Sequence, residues 1–175
     1  VPAPRSSVRF PQIDGPVDLE IGCGAGYHPI RYGQAHPERT LIAIERTRTR
    51  YARLESRLGG HPDVGNVVAV NDDAVRWITH RVPVESLERI FLLYPNPYPK
   101  SGQSNKRWHF MPFMERLLAC LKPAGRLVLA TNMNFYAEEA REHMVQTWGL
   151  GLGGSFFCPG ARPERGPDSL RAQVP

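Results

Sequence analysis

Cysteine is scarce in this chain, with three in 175 residues, Cys23, Cys120 and Cys158. Odd in number and far apart, they exclude a disulfide framework and a thiolate metal site, and favour a reducing, cytoplasmic setting. Each is expected to be a small buried hydrophobe. Long apolar runs are missing too. None approaches the roughly 20 residues of a membrane helix, so no membrane partner is expected. The opening VPAPRSSVRFPQ has no apolar core of a secretory leader. It also does not begin with Met, so residues are expected ahead of Val1. Lysine is nearly absent: 19 of the 22 basic residues are Arg, in a chain of net charge +5. The guanidinium fork suits phosphate, which points to a polyanionic partner. What remains is ordinary globular composition, 41% hydrophobic and 22% charged, enough for one domain with a full core.

Residues 1–16 carry Pro2, Pro4, Pro11 and Pro16 and read as an extended arm. From Val17 to position 157 short apolar strands alternate with helices. Strands are expected at 17–21, 41–45, 66–70, 89–94 and 126–130, and helices at 27–35, 46–58, 74–80, 110–121 and 135–148. That alternation implies βαβ units and a single-domain, Rossmann-like α/β fold, a mostly parallel sheet with helices on both faces. Residues 155–157 are a candidate further strand. Residues 158–175 are rich in Pro and Arg and are expected to form a tail.

Between the first strand and the first helix lies Glu20-Ile-Gly22-Cys-Gly24-Ala-Gly26. Glycines at that junction let the chain turn tightly and let backbone approach a ligand. Glu45 closes the next strand, where a carboxylate can accept both hydroxyl hydrogens of an adenosine ribose. A dinucleotide site would prefer its third glycine at position 27, which is Tyr27. An acid at position 20 also suits an ammonium better than a pyrophosphate. The set therefore favours S-adenosylmethionine over NAD. Its expected contacts are Gly22, Gly24, Gly26, Glu20, Glu45 and the neighbouring Arg46. Asp72 and Asp73 follow the third strand. One can accept from the adenine amine beside Ala74, and the other can cap the helix.

These segments resemble the class I S-adenosylmethionine-dependent methyltransferases, and more narrowly the tRNA (guanine-N7-)methyltransferase family. The likeness rests on LEIGCGAG, AIER, NVVAVNDDA, YPNPYPK with the following NKRW, and GRLVLATN. It implies a class I methyltransferase fold, S-adenosylmethionine as cofactor, and tRNA or another RNA as partner. It also implies Glu20, Glu45 and Asp73 as cofactor contacts and Lys100 as a substrate contact. The chain departs from the family in Pro95-Asn96-Pro97-Tyr98 where Pro-Asp-Pro-Trp is usual, in Trp108 after Lys106-Arg107, and in Thr131-Asn132 for Thr-Asp. It also has no late Thr-x-Phe-Glu segment.

The fourth strand therefore delivers Asn96, the candidate catalytic residue, to the mouth of the crevice. Tyr98, Lys100, Lys106, Arg107 and Asn132 are the candidate substrate contacts, with His109 beside the basic run. Guanine N7 has a lone pair and no proton to lose, so an amide in place of an acid is compatible with its methylation. Asn-Pro-Tyr also resembles a signature for methylation of amide or exocyclic amino nitrogens. That leaves open a methyltransferase for another nitrogen acceptor, a small molecule or protein. A catalytically weak cofactor-binding protein is the third alternative. On the second helix Arg46, Arg50, Arg53 and Arg57 form a stripe opposite the buried face of Tyr51, Leu54 and Leu58. The six histidines share no metal spacing, and no metal is expected.

Overall fold

The computed structural model describes residues 1–154 and 169–173, the second stretch by its backbone. The expected strand at 155–157 and Cys158 lie outside the described residues. Five strands run parallel: β1 (Val17–Ile21), β2 (Thr40–Ile44), β3 (Val67–Val70), β4 (Leu87–Leu93) and β5 (Leu121–Ala130). Strands β6 (Gly151–Gly154) and β7 (Ser169–Gln173) complete the sheet in the order β3-β2-β1-β4-β5-β7-β6. β7 pairs antiparallel with β5, Ser169 against Ala130 through Gln173 against Arg126. Part of the expected tail is therefore a sheet strand. SLRAQ has no β-branched or aromatic residue, is short and lies close to prolines, so it does not stand out as a strand from sequence.

Helices α1 (Tyr27–Ala35), α2 (Arg48–Gly59), α3 (Ala74–Arg81), α4 (Phe113–Leu118) and α5 (Asn134–Gln146) fill the connections. α2 starts two residues later than expected because Thr47 takes an extended N-cap conformation. α4 is shorter than its expected span of 110–121. Met111, which precedes Pro112, is extended (φ −74°, ψ 130°), as a residue before proline prefers, so the helix cannot start earlier.

Alternation along the strands sorts the two faces. Leu19, Ile42, Ile90, Leu127 and Leu129 meet Trp77, Met114, Leu117 and Tyr136 of α3, α4 and α5 in the main core. Each large side chain buried there contributes about 1.5–3 kcal/mol. The opposite face is thinner: Leu41, Phe91 and Val128 pack on Tyr32, and Ala43 and Cys23 pack on Leu54 of α2. Two acids of β1, Asp18 and Glu20, are buried on this second face.

The N-terminal arm has no regular structure, but it is not loose. Pro4, Ser6, Val8 and Phe10 turn inward while Arg5, Ser7 and Arg9 stay exposed. The backbone N–H groups of Arg5 and Ser6 donate to the Asp72 carboxylate at 2.7 and 2.8 Å, and the Trp77 indole donates to the Val8 carbonyl at 3.1 Å. Among the described residues no helix is long and apolar enough to cross a membrane, and no His, Cys, Asp and Glu cluster could hold a metal.

Candidate active site at the strand-order reversal

Strand order reverses between β1 and β4, and ligands of open α/β sheets bind beyond the carboxyl ends at such a point. A cleft of about 470 Å³ opens there, walled by the segments that follow β1 to β4. Its first wall begins at the glycine turn after β1. Gly22, Gly24 and Gly26 have φ of 76°, 61° and 85°, a region open to glycine at little cost. A Cβ on Gly26 would lie 2.4 Å from Leu54 Cδ1, so this glycine lets α1 start hard against α2. A Cβ on Gly22 or Gly24 would meet nothing within 4 Å, which leaves open space beside the backbone for a ligand.

Glu45, just after β2, is held by its neighbours. One carboxylate oxygen accepts the Gly24 N–H at 2.9 Å and the other accepts the Thr47 N–H at 2.7 Å. Each oxygen keeps a second lone pair, as ribose hydroxyls require. Asp72 and Asp73 divide their work. Asp72 is buried and accepts from the arm, from Arg76 and from the Asp73 N–H. Burial alone would raise its pKa, but the Ser6 N–H, Arg76 and the other donors hold it below the usual carboxylate range. Asp73 caps α3 by accepting the Arg76 N–H at 3.3 Å and also lines the cleft, with Arg46 Nη1 3.9 Å from its carboxylate.

Glu20 is not on the cleft wall. It is buried, and its carboxylate takes His28 Nδ1 at 2.7 Å. Gly24 and Gly26 likewise lie behind the wall, while Gly22, Glu45, Arg46, Asp73 and Ala74 form it. The Cys23 thiol is pushed far up, first by burial and then by the Glu20 and Glu45 carboxylates, so it is a packing group. Open backbone at Gly22 and Gly24, a pinned Glu45 and the cleft's size fit S-adenosylmethionine. Glu45 would hold the ribose, and Asp73 and Ala74 would flank the adenine.

The second wall is the rim that follows β4. Tyr94 and Tyr98 both take left-handed backbone, φ 50° and 43°, at a cost on the order of 1–3 kcal/mol each. The Tyr94 N–H is anchored by the Ala130 carbonyl at 2.7 Å. Between them Asn96 Oδ1 accepts the Tyr98 N–H at 3.2 Å, closing an Asx turn. Asn96, Tyr98 and Lys106 all line the cleft, and Lys106 Nζ is 5.9 Å from the centre of the Tyr98 ring. Trp108 and Arg50 also line it. Trp108 follows the motif directly and Arg50 belongs to the basic stripe, so sequence spacing could have found both.

Two expectations about the rim do not hold. Arg107 is not presented to phosphate: it is 5% exposed, and its guanidinium is taken up by Glu139 and by the Pro97 and Tyr98 carbonyls. His109 is fully buried, with Nε2 2.9 Å from Glu139, and does not reach the cleft. Burial lowers its pKa against the opposing pull of that carboxylate. Lys100 and Asn132 are exposed and lie outside the cleft wall. Sequence reading also missed a buried ion pair at the opposite end of the sheet. Asp18 accepts two bonds from Arg39 at 2.6 and 2.7 Å and one from the Tyr32 hydroxyl at 2.5 Å. Burial and that carboxylate push the Tyr32 phenol up to about 12. This pair ties α1 and the start of β2 to β1.

Comparison with known proteins agrees with this geometry. Residues 14–150 match a family model described as "Putative methyltransferase". A tRNA (guanine-N(7)-)-methyltransferase of Hyphomonas neptunium is 34% identical over 146 residues, covering 75% of this chain and 65% of that protein. One from Anaeromyxobacter dehalogenans is 30% identical over 167 residues, covering 95% and 81%. The chain spans 51–65% of the length of the first curated relatives it matches. Among solved structures, a SAM dependent methyltransferase from Aquifex aeolicus superposes with a TM-score of 0.67 at 13% identity, over 92% of this chain and 83% of that one. A precorrin-6y C5,15-methyltransferase from Geobacter metallireducens gives 0.63 at 17%, over 92% and 80%. These structural likenesses speak for the fold, and the sequence matches speak for kinship. The chain belongs to the methyltransferase family that includes the tRNA (guanine-N(7)-)-methyltransferases.

Proposed function

We propose that this protein transfers a methyl group from S-adenosylmethionine to N7 of a guanine in tRNA, in the cytoplasm. The observation that carries the reading is the pairing of two walls across one cleft: a pinned Glu45 beside open glycine backbone, and a rim bearing Asn96, Tyr98 and Lys106. Kinship with proteins named tRNA (guanine-N(7)-)-methyltransferase supplies the substrate.

When bound, S-adenosylmethionine supplies an electrophilic methyl carbon on a sulfonium. Guanine N7 offers an in-plane lone pair, so the new N–C bond forms as the S–C bond breaks, and the electron pair leaves on sulfur. No proton has to move, and the protein's task is alignment and exclusion of water. The Tyr98 ring packs against the base, as aromatic side chains do with unstacked nucleotides. The Asn96 amide orients the base at its edge. Lys106 meets phosphate, joined by Lys100 and by the Arg46 and Arg50 end of the α2 stripe. Asn132 stands at the end of β5 as a further substrate contact. The His28–Glu20 pair sits behind the glycines, where a carboxylate favours the cofactor's ammonium.

Methylation of an amide or amino nitrogen asks the Asn96 oxygen to accept a substrate hydrogen. That oxygen accepts the Tyr98 N–H and keeps a second lone pair, so it suits either acceptor, and kinship favours N7. The test is incubation with unmodified bulk tRNA and methyl-labelled cofactor, followed by mapping of 7-methylguanine. Label at another atom, or no label while the cofactor still binds, overturns the proposal.

A further inference from the structure

The rim is the most strained part of the cleft, and something must hold it. Left-handed tyrosines at positions 94 and 98 frame a five-residue turn with two prolines, and no strand ladder crosses it. Its strongest tie comes from Arg107. Nη2 donates to the Tyr98 carbonyl at 2.9 Å, and Nε lies 3.2 Å from both the Pro97 and Tyr98 carbonyls. The same guanidinium donates through Nη1 to both oxygens of Glu139, each at 2.6 Å. Glu139 belongs to α5, 32 positions away, and also takes His109 Nε2 at 2.9 Å. Arg107 lies under the Phe135 ring, 5.3 Å from its centre, and His109 is enclosed by Tyr136, Phe110 and His143.

Taken together, this is a clamp between the ends of two neighbouring strands, β4 through the rim and β5 through α5. The Arg107 side chain is 6% exposed, so its charge needs a partner, and Glu139 is the carboxylate that reaches it. A planar fork can bond a carboxylate and two carbonyls at once, whereas a lysine ammonium cannot reproduce that geometry. Glu139 in turn has donors on both oxygens. Burial would raise its pKa, but His109 and Arg107 hold it below the usual range, so the clamp is ionised at neutral pH.

We propose that Glu139 and Arg107 are positioning residues for methyl transfer: through the Tyr98 carbonyl they fix the strained rim that presents Asn96 and the Tyr98 ring to the cleft. The proposal rests on reading the rim as the substrate wall. It explains why the second cation of the Lys106-Arg107 pair faces inward while the first faces the cleft. Neither clamp residue lines the cleft, and neither bonds to Glu45.

Two variants of the full chain test it, Glu139→Ala and the milder Glu139→Gln, which keeps acceptor capacity for Arg107. Cofactor affinity, measured by calorimetry, should stay within about twofold of wild type, because the glycine wall is separate. Hydrogen exchange in the 94–107 segment should speed up in Glu139→Ala and less so in Glu139→Gln. Turnover on tRNA should fall by about 10- to 100-fold in Glu139→Ala, with the KM for cofactor unchanged. Arg107→Lys should behave as Glu139→Ala does. Unchanged exchange in 94–107 in both Glu139 variants overturns the proposal. So does a loss of cofactor binding that parallels the exchange, since it would mark general unfolding. A wild-type protein that fails to methylate tRNA defeats the function proposed above, while the exchange result still decides the clamp.

Discussion

The donor wall of the cleft, which follows β1 to β3, is held by backbone N–H groups, whereas the rim that follows β4 is held by side chains, one of them from a distant helix. On the donor side Glu45 is fixed by N–H groups of residues 24 and 47, and the glycines sit in conformations natural to them. On the rim two tyrosines sit in conformations unnatural to them, Tyr94 held by the Ala130 carbonyl and Tyr98 by Arg107 with Glu139 behind it. A wall that binds a constant cofactor can be short-range and rigid. The rim is built from loops, where strain is tolerated and function concentrates.

The sharpest way to break the donor wall is Gly26→Ala. The new Cβ would strike Leu54 and would have to hold φ at 85°. Strain and overpacking together should cost about 3 kcal/mol, visible as a lower urea midpoint. Glu45→Ala should be gentler on the fold but should weaken cofactor binding by about 30-fold, roughly 2 kcal/mol, by calorimetry. An unchanged affinity would remove Glu45 from the site.

The rim should respond to salt where the donor wall does not. Lys100→Ala with Lys106→Ala should weaken tRNA binding and make its salt dependence shallower by about one to two units of log–log slope. Cofactor binding should be untouched. A slope equal to wild type would place the phosphate track elsewhere.

The smallest effect concerns His109. Its folded pKa is depressed by burial, so below 6.5 the unfolded chain binds a proton that the folded one does not. Stability should therefore fall as pH drops through 6.5, and above about pH 7.5 the residue should contribute nothing to the pH dependence. His109→Gln should flatten the melting temperature between pH 7.5 and 5. A wild-type profile already flat there would contradict the assignment.

The contrast between the walls is also a contrast in what sequence reveals. Gly22, Glu45 and Asp73 lie within a few residues of strand ends that alternation makes visible, so their place on the cleft wall was legible, whereas that Glu20, Gly24 and Gly26 lie behind it was not. Helix α1 was legible at both ends because Gly26 and Pro37 punctuate it. The roles of Arg107 and His109 were not. Beside Lys106 they look like part of a basic surface, and only the fold brings Glu139 to them from α5. β7 was hidden for a related reason: a short strand that completes a sheet edge gets its stability from the partner, not from its own pattern. Asp18 with Arg39 belongs to the same class, two charges 21 positions apart whose pairing depends on packing.

The arm's attachment to Asp72 has a consequence for the order of assembly. Its bonds span 66 to 79 positions, from Ser6 to Asp72 and from Val1 to His80, much like the 71 positions closed when β4 pairs with β1, while β1, β2 and β3 join over a few tens of residues. Contacts of long sequence separation form late, because the loop they close is costly until the rest is in place. A nascent chain should thus have β1, β2, β3 and the glycine turn in place before β4 joins β1 and before the arm docks on Asp72, beside the α3 cap that flanks the cleft. The adenine side of the site would be among the last parts of the cofactor wall to settle, although the arm that completes it precedes the rest of the wall in the sequence.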